Sequence, residues 1–113
     1  MQSSKRRFLI AEMNDEVVGY AQTSPVTDEE YELLRIYVRP QFQKLGIGKA
    51  FIQEYIELLK PISKLFAWVS KENSIGRAFY EKNGFIEAGE KSETIEGQNK
   101  TQMKYVLEIP GEN

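Results

Sequence analysis

The apolar positions along the chain change period several times, and each change predicts an element. "RFLIAEM" over Arg7–Met13 and "VVGYAQT" over residues 17–23 are short β-rich runs. Between them stand Asn14 and Asp15, a turn pair, so the two runs read as the arms of a hairpin. A polar stretch with Pro25 follows, and "YELLRIYV" over residues 31–38 is a third strand. Pro40 stops it, because proline has no N–H to give a sheet ladder. Three consecutive strands of this kind predict an antiparallel meander. From residue 46 to 60 the period lengthens: Phe51, Ile52, Tyr55, Ile56 and Leu59 recur at i, i+3, i+4 spacing until Pro61. That stripe predicts an amphipathic helix packed on the sheet. "KLFAWVS" over Lys64–Ser70 returns to strand character. Strand, helix, strand is the right-handed crossover that sets two strands parallel.

A second helix is expected over Ser74–Lys82, with Asn73 as its cap and Asn83-Gly84 as its left-handed exit. Phe79, with Ile75 and Ala78, forms its apolar stripe. Two further strands, near residues 85–89 and 102–109, flank a polar loop and close the domain. The expectation is therefore a single α+β domain over residues 1–113, a central mixed but mostly antiparallel sheet with two helices. No repeat or interdomain linker interrupts it.

Composition narrows the chemistry. A chain of 113 residues with 41% hydrophobic content supports one small domain with a modest core. A formal net charge of -2 and a pI near 5.3 leave no basic footprint for nucleic acid. The basic start, Lys5-Arg6-Arg7, is too short to reverse that. No apolar run reaches the roughly 18 residues of a membrane span. Neither nucleic acid nor membrane is expected as a partner, and the expected location is cytoplasmic, which the absence of cysteine fits. Zero histidine and zero cysteine also remove Ser/His/Asp triads, thiol nucleophiles and the common zinc sites. No metal is expected. Any catalyst must draw on carboxylate, tyrosine, lysine, backbone amides or water.

The stretch "RPQFQKLGIGKAF" places Gly46 and Gly48 beside lysines where a strand gives way to a helix. A Walker loop ending at Gly48-Lys49 would need glycine at position 43, which is Gln43, and Ser or Thr at position 50, which is Ala50. A dinucleotide fingerprint starting at Gly46 would need a small residue where Phe51 stands. What survives is simpler physics. Small residues at a helix start let N–H groups approach an anion closely, and the helix dipole favours its charge. A tight strand-to-helix turn is the competing reading of a lone pair of glycines.

Two motifs in order decide between them. Gln43-Lys44-Leu45-Gly46-Ile47-Gly48 carries a Q/R-x-x-G-x-G/A pattern, and "NSIGRAFYEKNGF" over residues 73–85 follows N-x-x-A-x-x-F-Y-x-K-x-G-F, with Gly76 in place of alanine. Together they resemble the acetyl-CoA motif and the later helix of the GNAT superfamily of N-acetyltransferases. The resemblance runs from about Arg7 to the end of the chain. It implies an acyl-CoA N-acyltransferase fold, here expected without the family's usual first strand and first two helices. On that footing the chain is either part of a longer protein or a minimal form that another subunit completes.

The resemblance also implies roles. Acetyl-CoA would be the cosubstrate, its acetyl oxygen near the Ile36 backbone and its pantetheine along Tyr37 and Val38. The diphosphate would lie on the amides of Gln43, Lys44, Leu45, Gly46, Ile47, Gly48 and Lys49. Asn73 would contact the cofactor, although a plain helix cap explains it equally well. Tyr80, seven residues on and so about 10 Å along the same helix face, would protonate the departing thiolate. Gly76 between them reads as either a groove for the cofactor arm or close packing on the sheet. Glu32 is the first candidate for the base that deprotonates the amine, ahead of Glu29 and Glu30. It stands six residues before Val38, nominally on the same strand face unless a bulge intervenes. Trp68 and Tyr20 are candidates for the acceptor pocket and equally for the core. The expected acceptor is a small-molecule amine, with polyamines favoured. A noncatalytic acyl-CoA-binding module is the alternative from another class. Without the missing elements, the hairpin would leave an open sheet edge and thin cover over Phe8, Ile10, Val18 and Tyr20, which predicts a homodimer.

Overall fold

In the computed structural model, which describes residues 7–110, Asn14 and Asp15 hold φ of 53° and 65°. These are the positive angles of the mirror-image turn whose twist suits a hairpin. The turn joins β1 (Arg7–Met13) to β2 (Glu16–Pro25). The Lys5-Arg6 part of the basic start lies outside the described residues. β3 (Glu30–Val38) pairs antiparallel with β2, completing the expected meander. A short 3-10 turn at Pro40–Phe42 leads into α1 (Ile47–Leu58). After it β4 (Lys64–Ser70) lies parallel to β3, as the crossover requires. Then come α2 (Ser74–Lys82), β5 (Ile86–Ile95) and β6 (Gln98–Glu108). The sheet has six strands in the order β1-β2-β3-β4-β6-β5, mixed but mostly antiparallel.

The polar loop expected between the last two strands is instead the far half of a long ribbon. β5 and β6 stay paired out to Ile95↔Gln98, where Glu96 and Gly97 turn with φ of 52° and 80°. Every residue of β5 is exposed, so neither face carries the apolar alternation that marks a half-buried strand. The ribbon is held by main-chain pairing and by polar cross-strand contacts such as Ser92 with Thr101 and Thr94 with Asn99.

Both helices pack on one face of the sheet. Phe51, Ile52, Tyr55 and Leu59 are buried, joining Ala21, Leu33, Leu65, Ala67, Met103 and Tyr105 from the strands beneath. The stripe read from the sequence for α1 therefore holds. That of α2 does not: Tyr80 is its one buried residue, while Ile75 is 79% exposed and Ala78 faces solvent. The side of α2 that meets the sheet runs through Gly76, Arg77 and Tyr80, and Ile75 and Ala78 fall outside it. The C-terminus of α2 ends as expected, with Gly84 at φ 92° and the Phe85 N–H donating to the Tyr80 carbonyl at 3.0 Å.

The opposite face of the sheet carries no helix among the described residues. Register places Phe8, Ile10, Tyr20, Tyr37, Glu32, Phe66, Trp68 and Lys104 on it. Phe8 and Ile10 are exposed, as expected, and β1 is a sheet edge. Val18 is fully buried instead, as the extra residue of a bulge opposite Ala11 and Glu12. No described helix is long and apolar enough to cross a membrane.

The burial of the two helices gives a paired test. Ile52→Ala should lower unfolding free energy by about 3 kcal/mol, since Ile52 is 3% exposed in the core. Ile75→Ala should change it by less than about 0.5 kcal/mol. Denaturant melts of the two variants measure both.

Candidate functional site

The site begins with a slip in register. Gln22 pairs with Arg35 but Thr23 pairs with Leu33, which leaves Leu34 as an extra residue in β3. β3 and β4 then share only Glu30↔Lys64, Tyr31↔Leu65 and Glu32↔Phe66 before they part. Past that point the two parallel strands enclose a gap. The Arg39 N–H donates to the Val18 carbonyl at 2.8 Å. Antiparallel alternation then turns the Tyr37 N–H toward β2, and turns those of Ile36 and Val38 into the gap. The Val38 carbonyl accepts from Gln43 Nε2 at 2.9 Å.

The glycine loop continues this line of free donors. The Phe42 and Gln43 N–H groups are taken by the Arg39 and Pro40 carbonyls at 2.8 and 3.3 Å, and the Ala50 N–H starts the helical ladder on Gly46 at 2.9 Å. Between them, the N–H groups of Lys44, Leu45, Gly46, Ile47, Gly48 and Lys49 make no hydrogen bond to any described residue. They stand at the positive end of the α1 dipole, with no acidic residue in its first turn. Gly46 holds φ 85°, a left-handed conformation that disfavours side chains, with open space where a Cβ would be. Gly48 serves packing: a Cβ there would lie 2.7 Å from Phe79 Cε1. Gln43 is a brace, since its main-chain N–H and its side chain are both already engaged.

On α2, the Asn73 side-chain oxygen accepts the Gly76 N–H at 2.9 Å, so it caps the helix. The space beside Gly76 is filled, because a Cβ there would meet Asn73 Nδ2 at 2.7 Å and Val69 Cγ2 at 3.0 Å. Close packing is thus the reading of Gly76 that the geometry bears. Tyr80 is 7% exposed among Phe79, Phe85 and Tyr105, with ring centroids 5.4, 5.1 and 5.9 Å away. Burial pushes its phenol up to about 12, so it is a protonated donor at neutral pH. Tyr105, beneath it, donates to Glu81 Oε2 at 2.8 Å and accepts from Arg77 Nε at 3.2 Å, which ties α2 to β6. No pattern in the sequence signals that tie, which joins residues 24 and 28 positions apart.

Glu32 ends the paired part of β3, at the mouth of the gap. The bulge shifts the alternation: Val38 packs toward the helices with Leu33 and Ile36, whereas Glu32 lies on the helix-free face with Arg35 and Tyr37. Glu32 and Val38 therefore do not share a face. Tyr37 offers its ring on that open face, stacked 5.5 Å from Tyr20, and its N–H to β2. Trp68 and Tyr20 are half-buried on the same side. Glu30 belongs to an ion pair with Lys64 at 3.9 Å, and the Glu29 carbonyl accepts the N–H groups of Ser63 and Lys64. Neither Glu29 nor Glu30 reaches the gap as Glu32 does, both preceding it toward the paired end of β3.

A family model described as "Acetyltransferase (GNAT) family" matches residues 2–85. Spermidine N(1)-acetyltransferase of Thermoplasma acidophilum is 32% identical over 80 residues, 69% of this chain and 49% of that protein. [Ribosomal protein bS18]-alanine N-acetyltransferase of Escherichia coli K12 is 34% identical over 77 residues, 66% of this chain and 51% of that protein. The chain spans about half the length of these curated relatives. Among solved structures, PaiA N-acetyltransferase from Thermoplasma acidophilum in complex with coenzyme A superposes with a TM-score of 0.71 at 27% identity. That match covers 92% of this chain and 61% of the other.

Two tyrosines, Tyr55 and Tyr80, are pushed up from 10.0 to about 12 by burial. A phenol whose folded pKa exceeds its unfolded one stabilises the fold fully below about 10, and that stability is lost as pH rises from there through 12. Stability in denaturant should therefore fall over that window. Absorbance titration should show two of the six tyrosines ionising last, and Tyr80→Phe should remove one of the two late ionisations.

Proposed function

Because the chain belongs to the GNAT acetyltransferase family, we propose that it moves an acetyl group from acetyl-CoA to a primary amine of a small molecule by direct attack. The observation that supports this reading is the two sets of free N–H groups, Lys44–Lys49 at the start of α1 and Ile36 and Val38 in the gap, joined by the turn over residues 39–43. The first group suits a diphosphate. The second suits an extended amide chain ending in a thioester, since a backbone N–H aimed at the carbonyl also holds the oxyanion that forms there. Acetyl-CoA supplies the activated acetyl group. Two lysines at the loop, Lys44 and Lys49, add positive charge near the diphosphate, and both are exposed.

The two faces of the sheet divide the proton chemistry. The amine approaches from the helix-free face, where Glu32 takes its proton directly or through a water. Its nitrogen then bonds the acetyl carbon. The carbon–sulfur bond breaks on the helix side, where the Tyr80 phenol gives its proton to the sulfur. The polyamine acceptor read from the sequence is one member of this amine class. We also propose self-association through the open β1 edge, since two copies can pair the same strand about a twofold axis and close the assembly.

Thermal melts test the cofactor. At 100 times the dissociation constant, acetyl-CoA and CoA should each stabilise the fold by about 2.7 kcal/mol, and NAD and ATP at equal concentration should not. Equal shifts with all four, or none with CoA, would refute the assignment. Release of free thiol on addition of an amine panel tests transfer. Tyr80→Phe should lower that turnover by roughly 100-fold with the CoA-induced shift unchanged. Stabilisation by CoA with no thiol release from any amine would favour the noncatalytic binding module instead. Sedimentation velocity over a tenfold concentration range should show a dimer, and a monomer throughout would remove the β1 pairing.

A further inference from the structure

The charged side chains of the helix-free face are mostly paired with one another. Lys64 lies 3.9 Å from Glu30 and 3.8 Å from Glu108, and Lys91 lies 3.4 Å from Glu93. Two cations beside the gap are left over; Lys100, also without an ion pair among the described residues, lies far out on the ribbon opposite Glu93. Arg35 and Lys104 have no carboxylate within 4.0 Å among the described residues. Arg35 stands on one bank of the gap, and Lys104, on β6 one strand beyond the β4 bank, reaches back over that bank. Arg35 lies on β3 just past the bulge, on the same face as Glu32 and Tyr37. On the β4 side, Lys104 Nζ stands 4.6 Å over the Phe66 ring and 5.9 Å from that of Trp68. Lys91 Nζ stands 4.3 Å over the same Trp68 ring. Phe66 is the register partner of Glu32. The outer mouth of the gap therefore has one carboxylate at its apex and a cation on each side.

Such a mouth is poorly matched to a polycation. An acceptor with further ammonium groups would place them against Arg35 and Lys104, with only Glu32 and the one surplus carboxylate of the Glu30–Lys64–Glu108 trio to offset the repulsion. The same arrangement suits a molecule whose reacting amine meets Glu32 while its own anionic group lies between the two free cations. A guanidinium takes a carboxylate through two parallel hydrogen bonds, so Arg35 is the stronger of the two candidates. The exposed part of the Tyr37 ring, 44% accessible beside Arg35 on this face, offers apolar surface to a side chain.

We propose that the acceptor is a small amino acid-like molecule, a primary amine carrying its own carboxylate, held by Arg35 and Lys104 with an apolar side chain toward Tyr37. This rests on the acetyl-transfer reading, and it names the substrate class of that same site.

Trp68 is the single tryptophan of the chain, so its fluorescence reports binding at this mouth whether or not turnover follows. The full chain saturated with CoA would be titrated with leucine, with leucinamide, which keeps the amine and side chain but lacks the carboxylate, and with spermidine. Leucine should bind about tenfold more tightly than either of the others, the ratio one well-formed charged hydrogen bond supports. Arg35→Gln and Lys104→Gln should each weaken leucine by about fivefold to tenfold and leave leucinamide within about twofold. Arg35→Lys should recover part of the loss. Equal or tighter binding of leucinamide or spermidine, no fluorescence response to any of the three, or an equal loss of all ligands in the variants would overturn the proposal. Leucine binding with this charge dependence, but with no thiol released from acetyl-CoA by any amine, would leave this inference standing and remove the transfer reading beneath it.

Discussion

Parallel strands normally satisfy each other's main-chain groups along their whole shared length, because a buried N–H without a partner is costly. Here β3 and β4 stop doing so after Glu32↔Phe66. The parting is held open from both sides. β3 remains bonded to β2 from Gln22↔Arg35 to Gly19↔Val38, and β4 remains bonded to β6 as far as Ser70↔Gln102. Neither strand can swing across to close the gap without giving up a ladder it already has. The extra residue at Leu34 sets the divergence, since a bulge bends the strand that carries it. Ile36 and Val38 then pack against the core cluster below, which fixes the angle at which their N–H groups face the gap.

That one constraint sorts the chemistry by face. On the helix side, Tyr80, Tyr105 and the buried side of α1 belong to one packed core, against which Ile36 and Val38 lie. On the other side the sheet is bare and charged. The Tyr80 phenol is therefore buried and pushed up to about 12 by desolvation, whereas the Glu32 carboxylate stands at an open mouth. Solvent on one side and packed core on the other give the two groups opposite environments.

The fold was legible to the extent that local chemistry decides it. Asn14-Asp15 signalled its hairpin because both residues tolerate positive φ, and the 3.6-residue stripe of α1 survived because the helix buries one continuous side. Failures came where neighbours in space decide. The β5–β6 ribbon is exposed throughout, so no periodicity marked it, and only Gly97 hinted at its turn. α2 is short and meets the sheet through Gly76 and Tyr80, so its apolar Ile75 was misread as core. Among the candidate site residues, the glycines and Tyr80 were picked out by motif and Glu32 by position. The face Glu32 occupies was not, because a one-residue bulge reverses alternation and leaves no trace in composition. Arg35 and Lys104 were passed over for the same reason: what distinguishes them is the lack of a carboxylate partner, a property of the assembled face.

The glycine loop and α2 are also packed into one unit. Gly48 was expected to be small so that an anion could approach, yet its Cβ position is closed by the Phe79 ring at 2.7 Å. Phe79 is the neighbour of Tyr80 in sequence, and their rings meet edge to face at 5.4 Å. A side chain at position 48 would thus have to displace the Phe79 ring and disturb its contact with Tyr80. On its far side α2 is held by the Arg77–Tyr105–Glu81 hydrogen bonds. The first turn of α1 therefore both carries free N–H donors and serves as the surface against which the phenol is positioned. Contact through Phe79 fixes the distance between the glycine loop and the Tyr80 ring by packing, and packed aromatic contacts of this kind yield less readily than a loop would.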